Sequence, residues 1–374
     1  MTFLFWFSLL TLFYAFIGYP VIVRLAAALW GRKTQSDQNH TPTVSVLLSV
    51  YNEEQVIRLK IENFLQLDYP EDRIELLVIS DGSSDQTEEI VRSLASNRVR
   101  LLVQEERGGK TLALNRGALE AQGEILVFTD ANSMFEPDAV RRLVSHFASR
   151  EVGLVSGRSQ YLDGSGRAEN TGGAYRRYED FIKEMESATV SIVGADGAIY
   201  ALRRELYEPL PPEYINDLLH PMQVVRRGFR AIQDQEAQCS EILDGDVEGE
   251  LRRQTRIMAQ SWLIVLTQAG GILTAGRKGY FWALMSHKVL RWLTLPFMGA
   301  LFVSNVVLWD VGWVYQAALL LQLSFHAFAL AGWRRDTGLL RVLSMFIMLH
   351  LAALVGLVRL VAGQAYATWD PRRN

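Results

Sequence analysis

Apolar residues follow two different patterns along this chain. Thr2–Val23 holds no charged side chain, and three more uncharged runs lie near the other end: Trp292–Trp309, Val311–Trp333 and Val342–Val358, of 18, 23 and 17 residues. About 20 apolar residues span the hydrocarbon core of a bilayer, so these runs predict transmembrane helices. A cleaved leader is the competing reading of the first run. Its length, its lack of a basic start and its lack of a small-residue cleavage site favour an uncleaved anchor. From Thr43 to about Gln160 the pattern changes to short apolar blocks alternating with amphipathic stretches. Val44–Val50, Ile74–Ser80, Val99–Val103, Ile125–Thr129 and Val152–Ser156 read as strands. Glu54–Leu67, Gln86–Ala95, Lys110–Ala121 and Pro137–Phe147 read as the helices between them. Near-continuous apolar strands separated by helices predict an α/β unit, a mostly parallel sheet with helices on both faces.

Charge adds an orientation. Basic residues mark the cytoplasmic ends of membrane helices. Arg24, Arg32 and Lys33 after the first run, Lys288 and Arg291 before the second, and Arg334, Arg335 and Arg341 between the third and fourth all place the α/β unit inside. Four spans would put the tail outside, yet it carries Arg372 and Arg373, so either the tail departs from the rule or one segment only dips into the interface. The division that follows is residues 1–33 as an N-terminal anchor, 34–42 as a polar linker and 43–262 as a cytoplasmic domain. An interfacial segment at 263–287, about three helices within 288–363 and a tail at 364–374 complete it. The 374 residues carry a formal net charge of −3, and nothing in them indicates a nucleic-acid partner. Cys239 is the only cysteine, which excludes internal disulfides and cysteine-built metal sites; the histidines are scattered.

In sheets of this kind ligands bind at the carboxyl ends of strands. Three strand ends bring polar residues there: Tyr51-Asn52-Glu53-Glu54, Asp81-Gly82-Ser83-Ser84-Asp85 and Asp130-Ala131-Asn132. Gly108-Gly109-Lys110 precedes a helix as a phosphate-binding turn would, without the spacing of a Walker loop. Each piece alone is an ordinary turn or helix cap. Two oxygen-bearing side chains one residue apart, Asp130 and Asn132, can share a divalent cation with a diphosphate.

Taken in order, SVLLSVYNEE, VISDGSSDQT, GGKTLALNRGA, ILVFTDAN, VGADGAIYALRREL and INDLLHPMQVVRRGFRA resemble the family 2 glycosyltransferases, inverting nucleotide-sugar enzymes with the A-type fold. The resemblance covers about residues 44–259, and the added helices make it similar to the bacterial membrane-bound branch, alongside cellulose, hyaluronan and poly-N-acetylglucosamine synthases. It implies that Tyr51, Asn52, Glu53, Asp81, Lys110 and Asp130 bind the nucleotide, UDP-linked in the family's usage, and that Asp130 and Asn132 hold Mg2+ or Mn2+. Asn132 stands where the family's D-x-D has a second aspartate, so weaker metal binding is expected. Asp217 falls at the family's general base, and Asp196 in GADG near its acceptor site. The family's Gln-x-x-Arg-Trp motif is altered here: Arg256 matches its arginine, while Arg253 and Ile257 occupy its Gln and Trp positions. Arg253, Gln254 and Arg256 are expected at the acceptor and diphosphate, and Trp262 as an interface anchor. The implied partners are a nucleotide-diphosphate sugar, a saccharide or lipid-linked acceptor, membrane lipid and further subunits, in the bacterial inner membrane. Two other readings stand beside polymer synthesis: transfer of a single sugar to a polyprenyl phosphate or glycolipid, and a nucleotide-binding sensor or inactive partner subunit.

Overall fold

The computed structural model describes residues 1–162, 173–242, 247–333, 335 and 338–363. Arg334 and the tail at 364–374, with Arg372 and Arg373, lie outside the described residues. The chain opens with α1 (Thr2–Phe13) and α2 (Tyr19–Trp30), joined through a π-helical turn at Tyr14–Gly18. The turn has a local cause. Pro20 has no N–H for the carbonyl of Phe16, and the Tyr178 hydroxyl donates to that carbonyl instead, at 2.7 Å.

The α/β unit runs β1 (Val44–Val50), α3 (Ile57–Leu65), β2 (Ile74–Asp81), α4 (Thr87–Ser93), β3 (Val99–Gln104), α5 (Lys110–Glu120) and β4 (Ile125–Thr129). It continues through β5 (Ser133–Phe135), α6 (Ala139–Ser145), β6 (Val152–Leu162), α7 (Gly173–Thr189), β7 (Ile199–Arg203), α8 (Asn216–Arg226) and β8 (Arg230–Ile242). The strands form one sheet in the order β3-β2-β1-β4-β7-β6-β8-β5. β3, β2, β1 and β4 are parallel, as the apolar blocks predict. β7 then runs antiparallel to both β4 and β6, while β6 and β8 are parallel to each other. The sheet is therefore mixed. Its consequence for the site is geometric: β4, β6 and β8 all point their carboxyl ends to one edge, and β7 begins there.

Alternate side chains of the strands enter cores on opposite faces. Val46, Leu48, Val78 and Val127 pack with α3 and α6 through Ile57, Ile61, Leu143 and Val144. Leu47, Leu77, Ile79 and Phe128 pack on the other face with α5 and α8. That second core also contains Tyr19 and Val23 of α2, and residues of the two helices that follow the sheet. These are α9 (Val247–Thr274), contributing Ile264 and Ile272, and α10 (Lys278–Leu284), contributing Tyr280 and Leu284. The boundary expected after residue 262 falls inside α9, whose apolar face continues without a break.

A second π-helical turn, Met285–Val289, leads into α11 (Leu290–Trp292), then α12 (Thr294–Val307), α13 (Trp313–Gly332) and α14 (Leu339–Val361). Among the described residues four helical stretches are long and apolar enough to cross a membrane: Thr2–Trp30, Gly249–Thr274, Trp313–Gly332 and Leu339–Val361. A bent pair, Lys278–Trp292 with Thr294–Val307, makes a fifth if it acts as one span, with 57° between its halves. Pro296 cannot donate to the carbonyl of Trp292, which accounts for a break there. α14 packs along α9, and at Gly356 the two backbones come close. A Cβ at that position would sit 2.8 Å from the Ala259 nitrogen and 3.0 Å from the Thr255 oxygen.

Candidate active site

The strand order reverses between β1 and β4, and in such sheets that is where a crevice opens at the carboxyl edge. Tyr51–Glu54 leaves β1 and is laced to the loop after β2. The Asn52 Oδ1 accepts the Ser84 N–H at 2.8 Å, the Glu54 N–H donates to Asp85 at 3.1 Å, and the Glu53 N–H donates to the Thr87 hydroxyl at 2.8 Å. Asn52 sits at φ 53°, a left-handed conformation that asparagine tolerates better than most residues. This bracing explains why α3 starts at Ile57 and not at Glu54. Asp81 is buried, and its two carboxylate oxygens accept the N–H groups of Gly108 and Gly109, each at 2.7 Å. Gly109 lies at φ +90°, so a side chain would strain the turn. Asp81 thus shapes the loop that starts α5, with Lys110 as its first residue. Arg107, from the same loop, stacks its guanidinium 3.7 Å from the centre of the Tyr51 ring.

Lys110 reaches across to Asp130, forming an ion pair in which both side chains are well exposed. Asn132 is half-buried and makes no hydrogen bond among the described residues. The turn they share is held from behind. Lys60 of α3 is buried beneath it, donating to the Thr129 hydroxyl at 2.9 Å and to the Ser133 carbonyl, with its ammonium 4.1 Å over the Phe135 ring. Burial pulls the Lys60 ammonium down to about 8. Asn63, one turn later, exchanges two hydrogen bonds with the backbone of Phe135, both at 2.8 Å. Glu241, near the end of β8, accepts from the Ser133 hydroxyl. Burial, reinforced by Asp130, pushes its carboxyl up to about 7.

Asp217 is the second residue of α8. It is part-exposed, but its Oδ1 is buried and has no hydrogen-bond partner. Burial raises its carboxyl above the usual carboxylate range; Lys110 opposes this, while Asp196 and Asp130 add to it. Those four charges therefore share one space. Beneath them, Asn216 donates to the Tyr200 hydroxyl at 2.6 Å, and that hydroxyl lies 2.9 Å from His220 Nδ1. Burial pulls His220 down to about 3, so it is neutral at ordinary pH. Asp196 is taken up structurally. Its Oδ2 accepts from both the backbone N–H and the hydroxyl of Ser159, at 2.9 and 2.7 Å, and its Oδ1 accepts the Ala198 N–H at 3.2 Å.

On α9, Arg253 and Gln254 both bond Glu250, at 2.8–2.9 Å and 2.8 Å. Arg256 donates to the Gln260 Oε1 one turn on, at 3.4 Å, and its charge is felt by Asp217 and Asp130 as well as by Arg253. Trp262 does not anchor at an interface: it is 5% exposed, and its indole N–H donates to the Ala353 carbonyl of α14 at 3.0 Å. His326 and His350 bond the carbonyls of Gln322 and Phe346 one helical turn back. Among the described residues no three His, Cys, Asp or Glu side chains converge to hold a metal by themselves.

A family model described as Glycosyl transferase family 2 matches residues 45–210. The chain carries a family 2 glycosyltransferase domain. It is 32% identical over 152 residues to glycosyltransferase AglE of Haloferax volcanii, covering 40% of this chain and 48% of that one. It is 36% identical over 122 residues to a beta-monoglucosyldiacylglycerol synthase of Trichormus variabilis, covering 32% of this chain and 26% of that one. The chain thus spans half or less of the curated relatives it matches. A mannosyltransferase from Pyrobaculum calidifontis, solved in complex with GDP-Man and Mn2+, superposes with a TM-score of 0.74, covering 96% of this chain and 99% of its own at 22% identity. That likeness establishes the A-type fold. Within the glycosyltransferase domain, Tyr51, Asp81, Lys110, Asp130 and Asp217 gather at one edge as the sequence implies. Three residues went unread: Lys60, Arg107 and Glu241. A lysine on the apolar face of α3, beside Ile57, Ile61 and Phe64, was the one available signal.

Proposed function

We propose that the chain is a membrane-embedded inverting glycosyltransferase, moving a sugar from a nucleotide-diphosphate sugar to a lipid-linked or saccharide acceptor with Asp217 as general base. The observation that carries the reading is Asp217 itself. It is a carboxylate at a helix start with one unpartnered buried oxygen and a raised proton affinity, facing Lys110, Asp130 and Arg256. A base needs an oxygen free to accept and a proton affinity nearer neutrality than an ordinary aspartate has. Asp217 would take the proton of the acceptor hydroxyl while that oxygen bonds the anomeric carbon. The bond from that carbon to the diphosphate breaks with its electron pair on the diphosphate, and the configuration inverts.

Tyr51, Asn52, Glu53 and Asp81 are the proposed nucleotide residues, and Lys110 and Arg256 the cations nearest the departing diphosphate. Asp130 and Asn132 fit Mg2+ or Mn2+, since both present oxygen donors on one turn with Asn132 unengaged. An ion held there would neutralise the diphosphate as a Lewis acid. The GDP-Man and Mn2+ bound by the Pyrobaculum protein support a donor and cation of this class on this fold. Residues 43–262 are proposed to lie on the cytoplasmic face of a bacterial inner membrane.

A single transfer is favoured over processive synthesis by one finding. Position 257 is isoleucine, and Trp262 is buried against α14, so neither offers an aromatic face to a growing chain end. Incubation with labelled UDP- and GDP-sugars separates the outcomes: one product band supports single transfer, and a ladder refutes it. Asp217→Asn is expected to abolish transfer while leaving nucleotide binding within about twofold. Unchanged turnover in that variant would remove the base assignment.

A further inference from the structure

The site's base is tied to the membrane anchor through a buried carboxylate that the reaction does not use. Glu186, near the end of α7, is fully buried. Its Oε1 accepts the Tyr19 hydroxyl of α2 at 2.5 Å and lies 2.7 Å from His287 Nδ1 in the second π-helical turn. Its Oε2 accepts the Val193 N–H at 3.3 Å, and its own carbonyl accepts the N–H groups of Val190 and Ser191. His287 continues through Nε2 to Glu179, 3.1 Å away, which also pairs with Arg291. A buried carboxylate is costly unless such partners satisfy it. Here the partners come from three separate parts of the chain: the anchor, the catalytic domain and the segment entering the membrane again.

The two π-helical turns meet at this junction. Tyr14 of the first accepts the Trp282 indole N–H at 2.9 Å and lies 2.8 Å from the Ser286 hydroxyl of the second. π-turns inside helices are uncommon and concentrate at functional sites. From Glu186 the chain passes directly to the base. Ser191 is held at φ +89°, a left-handed conformation rare for serine. Two residues on, Val193 bonds Glu186; two more, the Ala195 N–H donates to the carbonyl of Asp217 at 2.8 Å. Asp196 follows at once, fixed to Ser159, and β7 begins at Ile199.

We infer that Glu186 is a positioning residue for Asp217, and that Tyr19 and His287 set it, so that the seating of the membrane anchor fixes the base through residues 190–195. The inference rests on Asp217 being the base. The displacement needed is small, since misplacing a catalytic group by about 1 Å is enough to cost on the order of a hundredfold in rate.

The test uses the full-length enzyme in lipid nanodiscs, with Tyr19→Phe, Glu186→Gln, their double variant and Asp217→Asn. Tyr19→Phe removes one hydroxyl and leaves the ring packed, so it is the variant least able to unfold the protein. It is expected to lower kcat about fivefold to tenfold with the donor KM within about twofold. Glu186→Gln is expected to lower kcat further, and the double variant to be no worse than Glu186→Gln alone, because the hydroxyl acts through the carboxylate. An unchanged kcat in Tyr19→Phe, or losses that multiply in the double variant, overturns the inference. An active Asp217→Asn overturns the base assignment instead, which separates the two failures.

Discussion

At the scale of single residues, the D-x-N turn and the base are governed by which charges face them. Asn132 brings an oxygen but no charge, and the buried ammonium of Lys60 lies behind the same turn. Asn132→Asp is therefore expected to lower the Mn2+ concentration for half-maximal activity about tenfold, read from activation curves at fixed donor. No change in that midpoint would show that residue 132 is not a ligand. Asp217 is lifted by burial and by its acidic neighbours, with Lys110 opposing. A base works deprotonated, so the rate should rise with pH through this raised value. Lys110→Met removes the opposing charge and should move the acid limb of the pH–rate profile upward; a downward or absent shift contradicts the assignment. Stability carries the opposite sign. A carboxyl whose folded value exceeds its unfolded one favours the fold at low pH, and that contribution is lost as pH rises through the folded value. Much of this was legible in the sequence because the residues lie at strand ends, where chemistry is expected. Glu241 was not: it follows Asp130 by more than a hundred positions, and only the pairing of β8 with β6 and β5 brings it to the same edge.

At the scale of elements, periodicity read the parallel half of the sheet well. β1 and β4 have the limits their apolar blocks suggest, since a central strand buried on both faces writes its length in unbroken hydrophobic residues. The antiparallel half was hidden, because β7 itself was not read and its direction follows only from its pairing with β4 on one side and β6 on the other. The limit set after residue 262 lies within α9, where Ile264, Ala269 and Ile272 join the core shared with the sheet. The contact of α14 with α9 depends on Gly356 having no side chain. Gly356→Leu should push the helices apart and break the Trp262–Ala353 hydrogen bond, at a cost of about 1–3 kcal/mol. A Tm in detergent equal to that of the unaltered protein would show that α14 is dispensable to the fold.

At the scale of the whole molecule, the long apolar helices and the α/β unit share one hydrophobic core. Tyr19 and Val23 from the anchor and Tyr280 and Leu284 from α10 pack in the same cluster as Leu47 and Phe128 of the sheet. A fragment of residues 43–262, the domain as the sequence divides it, should therefore not fold alone, since it cuts α9 and bares that face. Limited proteolysis and gel filtration check this; a monomeric, protease-resistant fragment would refute it. Three of the long apolar helices were readable from uncharged runs, whereas Gly249–Thr274, which carries charged residues, and the fusion of these helices to the α/β unit were not, because burial by protein and burial by lipid select the same residues.

The exposed pair of Lys110 with Asp130 has one more consequence, concerning the order of events at the site. A cation that takes Asp130 must first release Lys110, which then needs another anion. Free metal offers none. A donor diphosphate arriving with the cation does, so one ion pair is exchanged for two. Metal and donor should bind as a unit, each raising the affinity for the other by the same factor, as linkage requires. The enzyme at rest would then ignore the metal ions around it and admit them only with the sugar they help to deliver.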